Sequence, residues 1–113
     1  MDAAGARDGY EAVAKLDELP EGSLLGVTLA NGDPVCLAND AGTIYAVRNM
    51  CTHQDFPMSD GTLLPGCVIE CAWHGAKFDI ATGAVRAQPA TEPLPVYQVR
   101  VEERVILVGP RRG

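Results

Sequence analysis

From Tyr10 onward the chain is cut into short β-type runs by turn signals at close intervals, and this punctuation constrains the fold more than any other feature. "LLGVTLA" (Leu24–Ala30) gives way to "NGD", then to "PVCLA", "NDAG" and "TIYAVR" (Thr43–Arg48). Asn31-Gly32 between apolar runs predicts a tight hairpin, because both central positions of the favoured two-residue turn need positive φ. Further along come "LLPG", "CVIEC", "KFDIATGAV" and a Pro-rich link, "QPATEPLP" (Gln88–Pro95). The chain closes with "VYQVRV" and "VILV", joined by the charged Glu102-Glu103-Arg104. No segment sustains a 3.6-residue apolar period, so an amphipathic helix has no stripe to bury. Short strands with many turns predict an all-β antiparallel sandwich or barrel.

At 113 residues the chain is long enough for one core and too short for two. The expected organisation is a loose tail over residues 1–9, one domain over residues 10–109, and a short basic tail, "PRRG", over residues 110–113 beyond the last apolar run. A net charge of −6 argues against nucleic acid, whose phosphates demand a concentrated basic surface. It suits either plain solubility or an encounter with a basic patch on a partner. No apolar run approaches the ~20 residues that span a bilayer. The opening "MDAAGARDGYEAVAKL" lacks the basic-then-apolar pattern of a signal peptide, so the expected location is the cytoplasm. Thiols are mostly reduced there, and four cysteines then suggest metal ligands or buried fillers before disulfides.

Both histidines and three of the four cysteines fall between Asn49 and Asp79, in "NMCTHQDFPMSDGTLLPGCVIECAWHGAKFD". Within it stand Cys51-Thr52-His53 and Cys71-Ala72-Trp73-His74, with 17 residues between the two half-motifs. Each half offers one thiol and one imidazole from a segment flanked by strand-like runs. Two loop tips brought face to face would present two cysteines and two histidines to one site. Read residue by residue, the pattern fits buried cysteines with surface histidines, a tetrahedral zinc staple, or an iron–sulfur centre. Zinc sites more often place a Cys pair first and a His pair last, which these mixed pairs do not.

"CTH", 17 residues and "CAWHG" together resemble the Rieske iron–sulfur signature, Cys-x-His followed by Cys-x-x-His. "SDG" between the halves, "HGAKFDIATGAV" after them and "QPATEPLPVYQVRV" look like soluble Rieske-type ferredoxins, and the resemblance runs from about Leu16 to Val108. It implies a Rieske fold with a small cluster-binding subdomain of two hairpin loops, spanning about residues 49–80. It also implies one [2Fe–2S] cluster, with Cys51 and Cys71 on one iron and His53 and His74 on the other. Two thiolates and two neutral imidazoles leave such a centre less negative than four thiolates would, which raises its potential into a range of roughly −150 to +300 mV.

The same resemblance places this chain within that range. Respiratory Rieske proteins read His-Gly-Ser-x-Tyr after the last ligand, and both hydroxyls donate to cluster sulfur; here the run is His74-Gly75-Ala76-Lys77-Phe78. Without those donors the reduced form is less stabilised, and a potential near the negative end is expected. Respiratory members also brace the site with a disulfide, whose positions are taken here by Phe56 and Trp73. Cys36 and Cys67, in apolar runs, read as core fillers. Gly61, Gly66 and Gly75 read as turn or close-approach positions, Pro89 as a cap on a third side of the site, and Lys77 and Asp79 as solvated or turn-forming.

The implied role is one-electron transfer. Similar ferredoxins carry electrons from an NAD(P)H-dependent flavoprotein reductase to a terminal Rieske oxygenase that dihydroxylates aromatic rings. The chain would meet each partner transiently, as a monomer, near His53, His74 and Trp73. It would not itself be an enzyme, since no nucleophile–base pair or phosphate-binding loop accompanies the motif. The competing expectations are a Rieske-like small subunit of a nitrite-reductase-type complex, a ferredoxin linked to iron–sulfur assembly, and a zinc-stapled binding module.

Overall fold

The computed structural model describes residues 9–51, 57–72, 75–87 and 92–112. Ten strands and two single 3-10 turns make up the regular structure, and no α-helix occurs among the described residues. The strands are β1 (Glu11–Lys15), β2 (Leu24–Thr28), β3 (Pro34–Asp40), β4 (Thr43–Arg48), β5 (Thr62–Leu64), β6 (Val68–Glu70), β7 (Lys77–Asp79), β8 (Val85–Ala87), β9 (Val96–Glu102) and β10 (Val105–Arg111). They form a six-stranded sheet in the order β1-β10-β9-β4-β3-β2 and a four-stranded sheet in the order β5-β6-β7-β8. Every pairing is antiparallel. The Glu11 carboxylate on β1 accepts from the Ala30 amide just past β2 at 3.0 Å, tying the two edges of the large sheet into a nearly closed barrel. No helix among the described residues is long and apolar enough to cross a membrane.

The hairpins explain how the register is set, and they correct one sequence expectation. Asn31-Gly32 does not form the two-residue turn: Gly32 alone has positive φ, at 96°, and the loop runs over five residues between Thr28 and Pro34. The cause is local. The Asn31 side-chain oxygen accepts from the Asp33 amide at 2.9 Å, an Asx turn that competes with the tighter hairpin. The tight turns lie elsewhere, at Ala41-Gly42 (φ 54° and 98°) and Glu103-Arg104 (φ 51° and 65°). They close the pairs Asp40–Thr43 and Glu102–Val105.

Strands β3 and β4 are the wall between two cores. Alternate side chains point to opposite faces of a strand, so Val35, Leu37, Ile44 and Ala46 enter one cluster inside the barrel with Leu19, Tyr97, Ile106 and Val108. Cys36, Ala38 and Val47 enter a second cluster with Ile69, Phe78 and Ile80 of the small sheet and with Leu94 and Val96. Cys36 is fully buried there, as a filler should be. The last strand runs through Arg111, past the boundary drawn at residue 109, and the Arg112 amide still donates to Val96 at 2.8 Å. The carbonyl of Ala81, beside β7, accepts from the Arg112 guanidinium at 3.1 Å. Gly109 to Arg111 thus belong to β10, and Arg112 is held beyond it while the segment's side chains stay exposed. Of the tail expected over residues 1–9, residues 1–8 lie outside the described residues.

Candidate metal centre

Cys51 follows β4 of the large sheet and Cys71 follows β6 of the small one, so the two thiols come from different layers. Both are buried, at 3% and 1% exposure, and both belong to the core cluster that joins the sheets. None of the four cysteines is in a disulfide. His53 and His74, with Phe56, Trp73 and Pro89, lie outside the described residues.

Each cysteine sits at a braced loop neck. Before the first loop, Asn49 reaches across to the 3-10 turn at Met58–Asp60: its side-chain oxygen accepts from the Ser59 amide at 2.7 Å, and its side-chain nitrogen donates to the Ser59 hydroxyl at 3.0 Å. Gly26 on β2 lies beneath this clamp, and a Cβ there would fall 2.8 Å from the Asn49 amide nitrogen. Gly61 follows the turn, and a Cβ on it would fall 2.0 Å from the Glu70 carbonyl, so the first loop presses on the strand that leads to Cys71. The close approach at Gly61 is thus to the backbone of β6. The second loop is closed by the Cys71 amide donating to the Ala76 carbonyl at 2.7 Å, with Gly75 at φ +72°. Glu70 and Lys77 are register partners just outside that closure.

A third segment returns beside them. The Leu94 amide donates to Gly83 at 2.8 Å, and Leu94 is buried in the cluster that holds both cysteines. The C-terminal end of the Pro-rich link is therefore packed in the cluster that holds both cysteines.

Ala76 and Phe78 are completely buried in this same cluster. Neither carries a hydroxyl, and both stand against the base of the thiol pair. Cys67 packs against the cluster as expected, and it also makes a polar contact. It sits half-buried at the β5–β6 turn with φ 63°, and its thiol donates to the Asp40 carboxylate at 2.9 Å, linking the small sheet to the end of β3. That carboxylate, and secondarily burial, pushes the Cys67 thiol above its ordinary range. Cys36 goes further, since burial pushes its thiol up to about 12. Both stay protonated near neutral pH and are poor candidates for ligands or redox groups.

The Asn49–Ser59 clamp is the feature that sequence reading missed. Its only signal was polar residues flanking a ligand motif, and many loops share that. The donor set itself fits a metal centre. Two thiols come from opposite layers above a base of buried apolar side chains, and the segment after each carries one of the chain's two histidines in sequence, which are the donor types such a centre takes.

Comparison with known proteins bears on the same residues. The Rieske [2Fe-2S] domain matches residues 9–98. The chain is 37% identical over 104 residues to the biphenyl dioxygenase ferredoxin subunit of Pseudomonas sp. (strain KKS102), covering 92% of this chain and 94% of that protein. It is 42% identical over 98 residues to the ferredoxin component of a naphthalene 1,2-dioxygenase system from Pseudomonas aeruginosa, covering 87% and 91%. Among solved structures it superposes on a chain of the complex of reduced oxygenase and oxidized ferredoxin in carbazole 1,9a-dioxygenase. There the TM-score is 0.86 at 30% identity, with 95% of this chain and 99% of that one covered. With a domain match over most of its length, the chain belongs to the Rieske [2Fe-2S] domain family.

Proposed function

We propose that this protein is a one-electron carrier, the ferredoxin component of an aromatic-ring dioxygenase system, working as a cytoplasmic monomer. It would take electrons from an NAD(P)H-dependent flavoprotein reductase and pass them to a terminal Rieske oxygenase. The observation that carries this reading is the pair of buried thiols, Cys51 and Cys71, delivered from two sheets into one hydrophobic cluster beneath two short loops. The relatives named above, ferredoxin components of biphenyl and naphthalene dioxygenase systems, support the choice of pathway. The likeness to a chain in an oxygenase–ferredoxin complex supports the oxygenase as partner.

Cys51, His53, Cys71 and His74 would hold one [2Fe–2S] cluster, which supplies a reversible one-electron couple when bound. The chain's own contribution is positional. Packing of Met58, Ile69, Ala76 and Phe78 keeps water from the base of the site, and exclusion of water strengthens every charge interaction there. The Asn49–Ser59 clamp and the Cys71–Ala76 closure fix the two necks, which limits how far the loops rearrange on reduction. Rigid necks at a loop tip suit fast exchange across a small transient contact. We place that contact at His53, His74 and Trp73.

Ala76 and Phe78 offer no hydroxyl to the cluster sulfurs, so we expect a midpoint near the negative end of the family's range of roughly −150 to +300 mV. The test is anaerobic purification followed by iron and sulfide analysis, EPR of the reduced protein and a redox titration. Turnover is then measured with a flavoprotein reductase and an aromatic-ring oxygenase, with and without this protein. The expected result is two irons and two sulfides per chain, as the cluster formula requires, a midpoint below zero, and product only when the chain is present. A colourless, EPR-silent protein, or a midpoint well above zero, overturns the respective part of the reading.

A further inference from the structure

The second ligand loop carries a charge pair at its neck. Glu70 is the last residue of β6, directly before Cys71; Lys77 is the first of β7, directly after Ala76. The two face each other in register, and the Lys77 ammonium lies 3.7 Å from the Glu70 carboxylate. The carboxylate also leans along the loop: one of its oxygens lies 3.4 Å from where a Cβ on Gly75 would be. The absence of a side chain at Gly75 leaves that space open. Glu70 is held in place from below, because its carbonyl is the atom against which Gly61 is packed. Its backbone is therefore held directly before Cys71, and its carboxylate lies beside Gly75 and Lys77.

A charge so placed acts on any centre that gains an electron there. Reduction adds negative charge, so a neighbouring carboxylate opposes it and a neighbouring ammonium favours it. At 3.7 Å the ammonium cancels most of the carboxylate's field beyond the loop. A second ion pair among the described residues of this sheet, Arg86 with Asp79 at 3.6 Å, is a separate neutral unit that bridges β8 and β7. Both side chains of the Glu70–Lys77 pair are about a third exposed, at 33% and 38%, so the effect is screened by salt rather than lost.

We propose that Glu70 and Lys77 act with opposite sign on the midpoint potential of the centre held by Cys51, His53, Cys71 and His74, Lys77 offsetting a carboxylate that alone would depress it. This gives Lys77 a function beyond the solvated role its sequence position suggests. The inference rests on the cluster reading above.

The test compares wild type, Glu70→Gln, Lys77→Gln, Lys77→Arg and the Glu70→Gln/Lys77→Gln double variant by spectroelectrochemical titration at low and at high salt. Iron and sulfide content and EPR line shape are measured on every sample. Lys77→Gln should lower the midpoint and Glu70→Gln raise it. Lys77→Arg and the double variant should stay close to wild type, and both single shifts should shrink at high salt. Unchanged midpoints in fully loaded single variants would overturn the proposal. So would shifts of the same sign in both, because a packing defect has no reason to follow charge. A wild type without iron would instead overturn the cluster reading, and this inference with it.

Discussion

The two sheets of this molecule hold their shape by different means. In the large sheet, β3, β9 and β10 run for seven residues each, two of its hairpins close through two-residue turns, and the barrel interior is a cluster of its own. In the small sheet every strand is three residues long. Strands that short do not support an independent sheet. They are ordered by burial against β3 and β4, and by the loops they carry. The half of the molecule with the least intrinsic structure thus supplies the second ligand half-motif in the proposed site, and its four buried anchors (Ile69, Ala76, Phe78 and Ile80) all share a cluster with both candidate thiols.

The sharpest way to break that comparison is to remove the centre. Chelation of iron, or Cys71→Ser, should abolish cluster content and release the small sheet while leaving the large one folded, because metal binding and local folding are coupled. Hydrogen exchange measured by mass spectrometry should show protection lost across Thr62–Ala87 and kept across Pro34–Arg48 and Val96–Arg111. Equal loss in both regions would mean that the two sheets form one cooperative unit.

The alkaline limb of stability probes the seam between the sheets. Cys36 lies on the face of β3 that meets the small sheet, and burial lifts its thiol from 9.0 to about 12. The sign follows from linkage: an unfolded chain loses this proton near pH 9, while the folded chain keeps it until about pH 12. The contribution of Cys36 is therefore complete below pH 9 and is lost as pH climbs through that window. The slope is about 1.4 kcal/mol per pH unit from this residue. Urea denaturation between pH 8 and pH 11 checks it, with Cys36→Ala as the control whose slope should be shallower by about that amount. Identical slopes in the two proteins would show that Cys36 is not the group responsible.

These regions also differed in how legible they were. The all-β class and the strands of the large sheet could be read from the turn punctuation, because alternation and short apolar runs report directly on pleated, half-buried surfaces. The turns themselves were harder. Asn31-Gly32 looked like the tight hairpin, but the Asn31 side chain takes the Asp33 amide for itself. Glu103-Arg104 looked like a charged connector, yet both residues adopt positive φ because the register of β9 and β10 leaves only two residues to reverse the chain. Around the proposed site, Cys51 and Cys71 could be singled out from the two half-motifs and the family resemblance they carry. What braces them could not. The Asn49–Ser59 clamp and the press of Gly61 on Glu70 depend on how the sheets stack, and no pattern local to the chain encodes that. Cys67 shows the same limit: an apolar run suggested a filler, whereas the turn aims its thiol at a carboxylate on the other sheet.

A smaller effect is expected from that clamp. Asn49→Ala removes both hydrogen bonds to Ser59 and leaves the Ser59 amide without its acceptor, for a cost of about 1–3 kcal/mol. The loss belongs to the cluster side. Iron release into a chelator should therefore accelerate in Asn49→Ala while hydrogen exchange in β9 and β10 stays unchanged. A uniform drop across both sheets would place the clamp in the common scaffold instead.

The barrel interior offers the converse test, with the smallest change. The Tyr97 hydroxyl is buried there and has no hydrogen-bond partner among the described residues. Its neighbours in the cluster are aliphatic: Leu37, Ala46, Ile106 and Val108 among them. A buried hydroxyl that gives up water and gains nothing in return is a net cost, and deleting it leaves the ring's packing intact. Tyr97→Phe should be neutral or stabilising by up to about 1 kcal/mol. Because Tyr97 belongs to the inner cluster and not to the seam, the gain should appear in the unfolding of the large sheet, with iron content and midpoint potential unchanged. A destabilised variant would mean that the hydroxyl has an acceptor after all and that the inner core is less purely apolar than its residues suggest.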